Sequence, residues 1–170
     1  MTLDVIRFNE YDPPMSPRLQ DEIRQTRPFV SLEDEVLIAL LRTADVALRP
    51  LTDVLKAHSL SHTQYNVLRI LRGAGPGGLS CREVAERMVT REPDLTRLLD
   101  RLERRGLIAR GREAKDRRVV VTRITREGLS LLDGLDEPTA ESARRALGHL
   151  GPDGLRSLSR LLEKARTPPQ

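Results

Sequence analysis

The stretch SCREVAERMVTREPDLTRLLDRLERRGLIARGREAKDRRVVVTRITR, residues 80–126, decides the fold. Ser80 followed by Glu83 makes a capping box, in which each side chain satisfies the other residue's free backbone N–H. Val84, Ala85 and Met88 then supply the apolar stripe of a short helix over about 80–88. After a tight turn a second helix begins, with Pro93 in its first turn and Gly106 as its stop. Taken over 90–106, this helix sets Leu95, Leu98, Leu99 and Leu102 on one side. Arg97, Asp100 and Arg104 lie roughly opposite, with Arg101 on the flank. Beyond Gly106 the period changes, and 107–112 and 118–124 read as two strands joined by the charged turn Glu113-Ala114-Lys115-Asp116-Arg117. Helix, tight turn, helix and basic hairpin in direct succession are the parts of a winged helix-turn-helix, in which the second helix enters a major groove and the hairpin reaches an adjacent groove.

Outward from this segment the chain reads as helix. Ser31 and Asp34 open a long helix over 31–57 whose apolar positions run from Leu37 to Leu55, with Pro50 expected to kink it. Ser61 and Gln64 box a helix over 61–73 that the glycine-rich run Gly73–Gly78 stops. Thr125 caps a helix through Leu129, Leu131, Leu132 and Leu135, interrupted near Pro138, and Gly151-Pro152 opens the last one. The order is ααααββαα, a mainly α fold with a small β-hairpin wing. Residues 1–30, with Pro13, Pro14, Pro17 and Pro28 and no sustained periodicity, read as an extended or partly disordered arm.

Composition narrows the function classes. At 170 residues and 38% hydrophobic the chain fits one ordinary domain, and with only 2% aromatic residues its core is aliphatic. Cys81 is the single cysteine, no apolar run approaches the roughly 20 residues of a membrane span, and no signal peptide is visible, which together place the protein in the cytoplasm. Residues 82–126 hold 14 Arg and Lys against 8 Asp and Glu, a surplus of six, while the rest of the chain is slightly acidic at 15 against 17. Arginine outnumbers lysine throughout, so the clustering and not the abundance points to a polyanion such as duplex DNA. No phosphate loop, nucleophile elbow or metal-ligand cluster is present, so neither an enzyme nor a cofactor or metal protein is expected. His58 and His62 flank a helix break and lack a third ligand. Cys81 is expected to pack and not to sense oxidants.

At Leu95–Ile108 (LTRLLDRLERRGLI), Asp116-Arg117-Arg118 and Ile124–Leu129 (ITREGL) the chain resembles the MarR (multiple antibiotic resistance regulator) family, and the resemblance extends over about 31–166. It departs from many members at Arg91-Glu92-Pro93, where they carry small polar residues. The resemblance implies a winged helix-turn-helix lobe at 58–124, dimerisation helices at 31–57 and 125–166, and a tail at 167–170. It also implies a homodimer on a near-palindromic operator. The terminal helices carry more leucine than one small wing domain can cover, which agrees with a dimer. Arg91, Asp94, Thr96, Arg97 and Arg101 are the DNA-contacting candidates around the recognition helix, and Arg112, Lys115, Asp116, Arg117 and Arg118 those of the wing. In the family an Asp-x-Arg at the wing positions an arginine in the minor groove, which falls on Asp116 and Arg118. Members commonly bind small aromatic acids in a cleft near the dimer helices, where Tyr65 is the available aromatic. The function so implied is a sequence-specific DNA-binding transcription regulator, a repressor released by a small-molecule effector. The rivals are a winged-helix module for protein contact and a ligand- or redox-sensing protein that has lost DNA binding.

Overall fold

The computed structural model describes residues 17–112 and 120–167. Residues up to Ala47 and residues from Leu48 onward form two compact units, and the division falls inside one helix.

The first unit holds helix α1 (Pro17–Ile23) and most of α2 (Leu32–Ala57). The arm expected at 1–30 is therefore helical over Pro17–Ile23: proline at the first helical position supplies a preset φ where its missing N–H does no harm. Arg24, at φ 54°, closes α1, its N–H bonded to the Asp21 carbonyl and the Gln25 N–H to the Gln20 carbonyl. Ser31 opens α2 as expected, its hydroxyl accepting from the Asp34 N–H at 3.2 Å, with Glu33, Asp34 and Glu35 in the first turn where the helix dipole favours negative charge. The helix runs unbroken through Pro50.

The second unit carries the core. After α2 come α3 (His62–Ala74), a 3-10 turn Gly75–Gly77, β1 (Leu79–Ser80), α4 (Cys81–Arg87), α5 (Leu95–Arg104), β2 (Ile108–Arg112), β3 (Val120–Ile124), α6 (Arg126–Leu147), a 3-10 turn Gly148–Leu150 and α7 (Gly151–Arg166). Both expected capping boxes form, Ser61 with Gln64 and Ser80 with Glu83. The hairpin proves to be part of a three-stranded antiparallel sheet of order β1-β3-β2, in which Leu79 pairs with Thr122 and Ser80 with Val121. Leu55, Val67, Leu68, Leu71, Val84, Leu98, Leu99, Leu102, Ile108, Leu132 and Leu135 are the nearly inaccessible centre of one aliphatic cluster. Of the stripe expected on α4 only Val84 is fully buried, with Met88 partly so and Ala85 exposed. The break expected near Pro138 is absent: α6 continues through it. One backbone hydrogen bond is forgone there, while Leu132 and Leu135 on one side of the proline and Ser142 on the other stay buried.

The ends of α2 and α5 are built alike. Ser59 (φ 53°) and Gly106 (φ 70°) are the left-handed residues that terminate them. The Leu60 N–H bonds back to Leu55 O, and the Leu107 N–H to Leu102 O, bringing a pair of buried leucines together at each end. Arg105 ties the two ends to each other, its guanidinium donating to Ser59 O at 2.6 Å and His58 O at 2.9 Å. Thr125 then seats α6 on the same spot, its hydroxyl donating to Gly106 O at 2.7 Å and its N–H to Leu107 O at 3.1 Å. Farther along, Arg72 of α3 grips Asp136 of α6 through both terminal nitrogens at 2.9 and 2.8 Å.

Two glycines at this seat are required for different reasons. A Cβ at Gly128 would meet Leu107 O at 2.3 Å and Ile124 Cγ1 at 2.7 Å, whereas a Cβ at Gly106 would meet nothing but would hold a left-handed conformation. Gly128→Ala is expected to destabilise by about 2–3 kcal/mol despite the better helix propensity of alanine. Gly106→Ala is expected to cost about 1 kcal/mol. Urea unfolding of both variants checks the order. The Arg72 fork holds the Asp136 carboxyl below its ordinary range. Because the folded value is the lower one, this pair stabilises above the unfolded aspartate pKa of about 3.9 and is lost as pH falls below it. Asp136→Asn should therefore melt at a lower temperature than the parent at neutral pH and converge on it in acid.

Candidate nucleic-acid interface

The surface around α5 is assembled from α3 inward. Asn66 of α3 accepts the Val89 N–H through its side-chain oxygen at 3.0 Å, which fixes the turn between α4 and α5. The second helix starts later than Pro93 suggests. Asp94 is its N-cap, accepting the Arg97 N–H at 3.2 Å, and Arg91 and Pro93 precede the helix. An aspartate oxygen satisfies a free first-turn donor better than a proline ring, and the helix begins where that donor is satisfied. Leu95, Leu98, Leu99 and Leu102 are buried as the periodicity predicts, and Thr96, Arg97, Arg101 and Arg104 are exposed.

The charged face is more ordered than a count of arginines implies. Asp94 Oδ2 also forms an ion pair with the Arg97 Nε, at 3.0 Å. The Arg101 Nε donates to the Arg97 carbonyl and the Arg104 Nε to the Asp100 carbonyl, at 3.3 and 3.4 Å. Spaced four and three residues apart, the three arginines share one face, and together with Asp94 and Asp100 they line a shallow depression. Each is tethered at Nε while its two terminal nitrogens meet no partner among the described residues.

Asp100 is not part of an open charged face. Arg110 of β2 reaches across to α5, its Nη2 lying 2.5 Å from Asp100 Oδ1 and 2.6 Å from Glu103 Oε2, and its Nε 2.8 Å from the latter. The Arg110 backbone N–H adds a bond to Glu103 Oε1 at 2.9 Å. This guanidinium lowers the Glu103 pKa from the ordinary carboxylate range. Sequence reasoning passed over Arg110 and Glu103 as site residues. Strand alternation held the signal: Arg110 lies two residues after buried Ile108, on the same inward face, where a guanidinium needs a carboxylate partner.

Arg112 is exposed at the end of β2, opposite Val120. Lys115, Asp116, Arg117 and Arg118 lie outside the described residues. Tyr65, expected at a ligand cleft, is buried in the core cluster with its hydroxyl donating to Thr139 Oγ1 at 3.1 Å, which leaves little of the ring for a ligand. Cys81, expected to pack, is the first residue of α4 and is exposed. His62 shares a 2.7 Å hydrogen bond with Thr52. No helix among the described residues is long and apolar enough to cross a membrane.

Comparison with known proteins agrees with this geometry. Residues 60–120 match the MarR family. The chain is 42% identical to a MarR transcription factor from Planctomyces limnophilus of known structure, with a TM-score of 0.62 over 78% of this chain and 96% of that one. It is 29% identical to the homoprotocatechuate degradative operon repressor of Escherichia coli, over 78% of this chain and 88% of the repressor. The structure of CouR from Rhodococcus jostii RHA1 bound to p-coumaroyl-CoA is 25% identical, with a TM-score of 0.68 over 82% of this chain and 97% of that one. With its helix-turn-helix, its three-stranded wing sheet and relatives matched along most of their length, this chain belongs to the MarR family of winged helix-turn-helix transcription regulators.

Proposed function

We propose that the protein is a homodimeric repressor that reads a near-palindromic operator and is released from it by a small-molecule effector. The observation that carries the DNA-reading half is the row of Arg97, Arg101 and Arg104, each tethered at Nε with no partner for its terminal nitrogens among the described residues. Such groups suit phosphate oxygens and guanine edges, and Arg112, Arg117 and Arg118 add further basic residues later in the sequence. The effector half is supported by relatives, one named for homoprotocatechuate degradation and one bound to p-coumaroyl-CoA, which suggests an aromatic carboxylate or its thioester. Release would follow from tighter binding of that ligand to a conformation that does not fit DNA. No catalytic role is assigned, and the cytoplasm is the compartment proposed.

Dimerisation is supported by apolar surface left uncovered in each unit. In the first, Leu37 and Leu41 are 56% and 62% exposed. In the second, no residue of α7 is fully buried and Leu161 is 66% exposed. Faces of this kind in a regulator that must span two half-sites fit a two-fold interface. The protein should sediment as a dimer, and Leu161→Glu, at a site with no packing to lose within the chain, should shift it toward monomer with its helical signal kept.

DNA reading is tested by fluorescence anisotropy with the protein's own upstream duplex and a scrambled one across a salt series. Affinity should favour the upstream duplex and fall steeply with salt. Arg104→Ala should weaken both duplexes alike and lower the salt slope by about one for each lost phosphate contact. Arg118→Ala should weaken upstream binding. Absence of binding at low salt would overturn the DNA-reading proposal.

A further inference from the structure

We infer that Asp94 is a specificity-positioning residue, which holds Arg97 by its Nε so that the two terminal nitrogens face a guanine in the major groove. The inference rests on the DNA-reading function proposed above and goes one step deeper, to a single base and to the residue that orders its reader.

Asp94 spends its two oxygens on two tasks. Oδ1 accepts the Arg97 backbone N–H at 3.2 Å and so starts the helix, and Oδ2 lies 3.0 Å from the Arg97 Nε. The backbone bond fixes the carboxylate, and the carboxylate in turn fixes the guanidinium. An arginine ion-paired through Nε keeps its Nη1–Nη2 edge, which matches the O6 and N7 acceptors that guanine shows in the major groove. Arg101 and Arg104 are tethered differently. Their Nε atoms lie 3.3 and 3.4 Å from neutral carbonyl oxygens of their own helix, longer bonds without charge assistance. Arg97 also lies in the first turn of α5, and the N-terminal residues of a recognition helix are those that reach base edges. Arg101 and Arg104 are better suited to phosphate.

With Arg97 81% and Asp94 48% exposed, the pair adds little stability in water. What it supplies is direction. A guanidinium already pointed at the groove loses less freedom on docking, and a carboxylate behind it favours that orientation over a swing toward the nearest phosphate.

Asparagine caps a helix as well as aspartate but lacks the charge that holds Arg97. The test is a cycle between protein and DNA: parent and Asp94→Asn are titrated with operator duplex and with duplexes in which single guanines are replaced by 7-deazaguanine, which lacks the N7 acceptor. The parent should lose about tenfold in affinity at one guanine or its symmetry mate. Asp94→Asn should lose about as much on the unmodified operator and little more when that guanine is replaced, with an unchanged melting temperature. Arg97→Lys, which keeps the charge without the fork, should show the same insensitivity and serves if Asp94→Asn fails to fold. Losses that multiply independently, or a parent indifferent to every guanine, would overturn the inference while leaving the regulator intact. A parent that binds no duplex would remove the DNA-reading function itself.

Discussion

The C-terminal anchoring of α5, which carries the proposed DNA-facing surface, converges on three consecutive residues, Arg105, Gly106 and Leu107. Arg105 satisfies the last carbonyls around the end of α2, Gly106 supplies the left-handed turn that ends α5, and Leu107 closes that turn while opening the path into β2. Thr125 bonds to the carbonyls of Gly106 and Leu107, so the start of α6 is set by the same spot. A helix end buried without partners would leave carbonyls unsatisfied at a cost of about 1–3 kcal/mol each, and here Arg105 serves the end of α2 while Thr125 serves the end of α5. The recognition helix is thus held at its C-terminal end by the fold and is left free along its outer face.

Charge on that face is organised by pairing as much as by excess. Asp100 and Glu103 would oppose a phosphate backbone if they stood open, and one guanidinium from the neighbouring strand binds both. The side chain of Arg110 is only 25% exposed, so its attraction to the carboxylates is less screened than that of a rim pair. One fork shared by a helix and a strand also sets the angle between them, since a planar guanidinium engages two carboxylates only over a narrow range of orientations. Electrostatic masking and wing placement are therefore the same contact.

Much of this was legible in the sequence because it is local. Ser61 with Gln64, Ser80 with Glu83, the leucines from 95 to 102 and the stop at Gly106 each depend on residues within a few positions of one another, and each forms as its spacing predicts. What was missed depends on distant partners. Leu79 and Ser80 are a strand only because Thr122 and Val121 lie beside them, some forty residues away in the chain. Pro93 gave a helix-start signal that the stronger cap at Asp94 displaced. Asp100 looked like part of an open charged face until the side of β2 that carries Arg110 was known. Cys81 resembled a packing residue by type, yet at the first position of α4 it is exposed.

The last helix carries a thermodynamic consequence. Within one chain no residue of α7 is fully buried, with Leu158 and Leu162 only partly covered, so its 16 residues have less tertiary support than the helices of the core. A helix of that length is marginal in water on its own. If a second protomer covers it, folding of the C-terminal segment and association become one equilibrium, and the order of that segment depends on how much protein is present. Dilution, and not heat alone, would then loosen the chain, beginning from its C-terminal end.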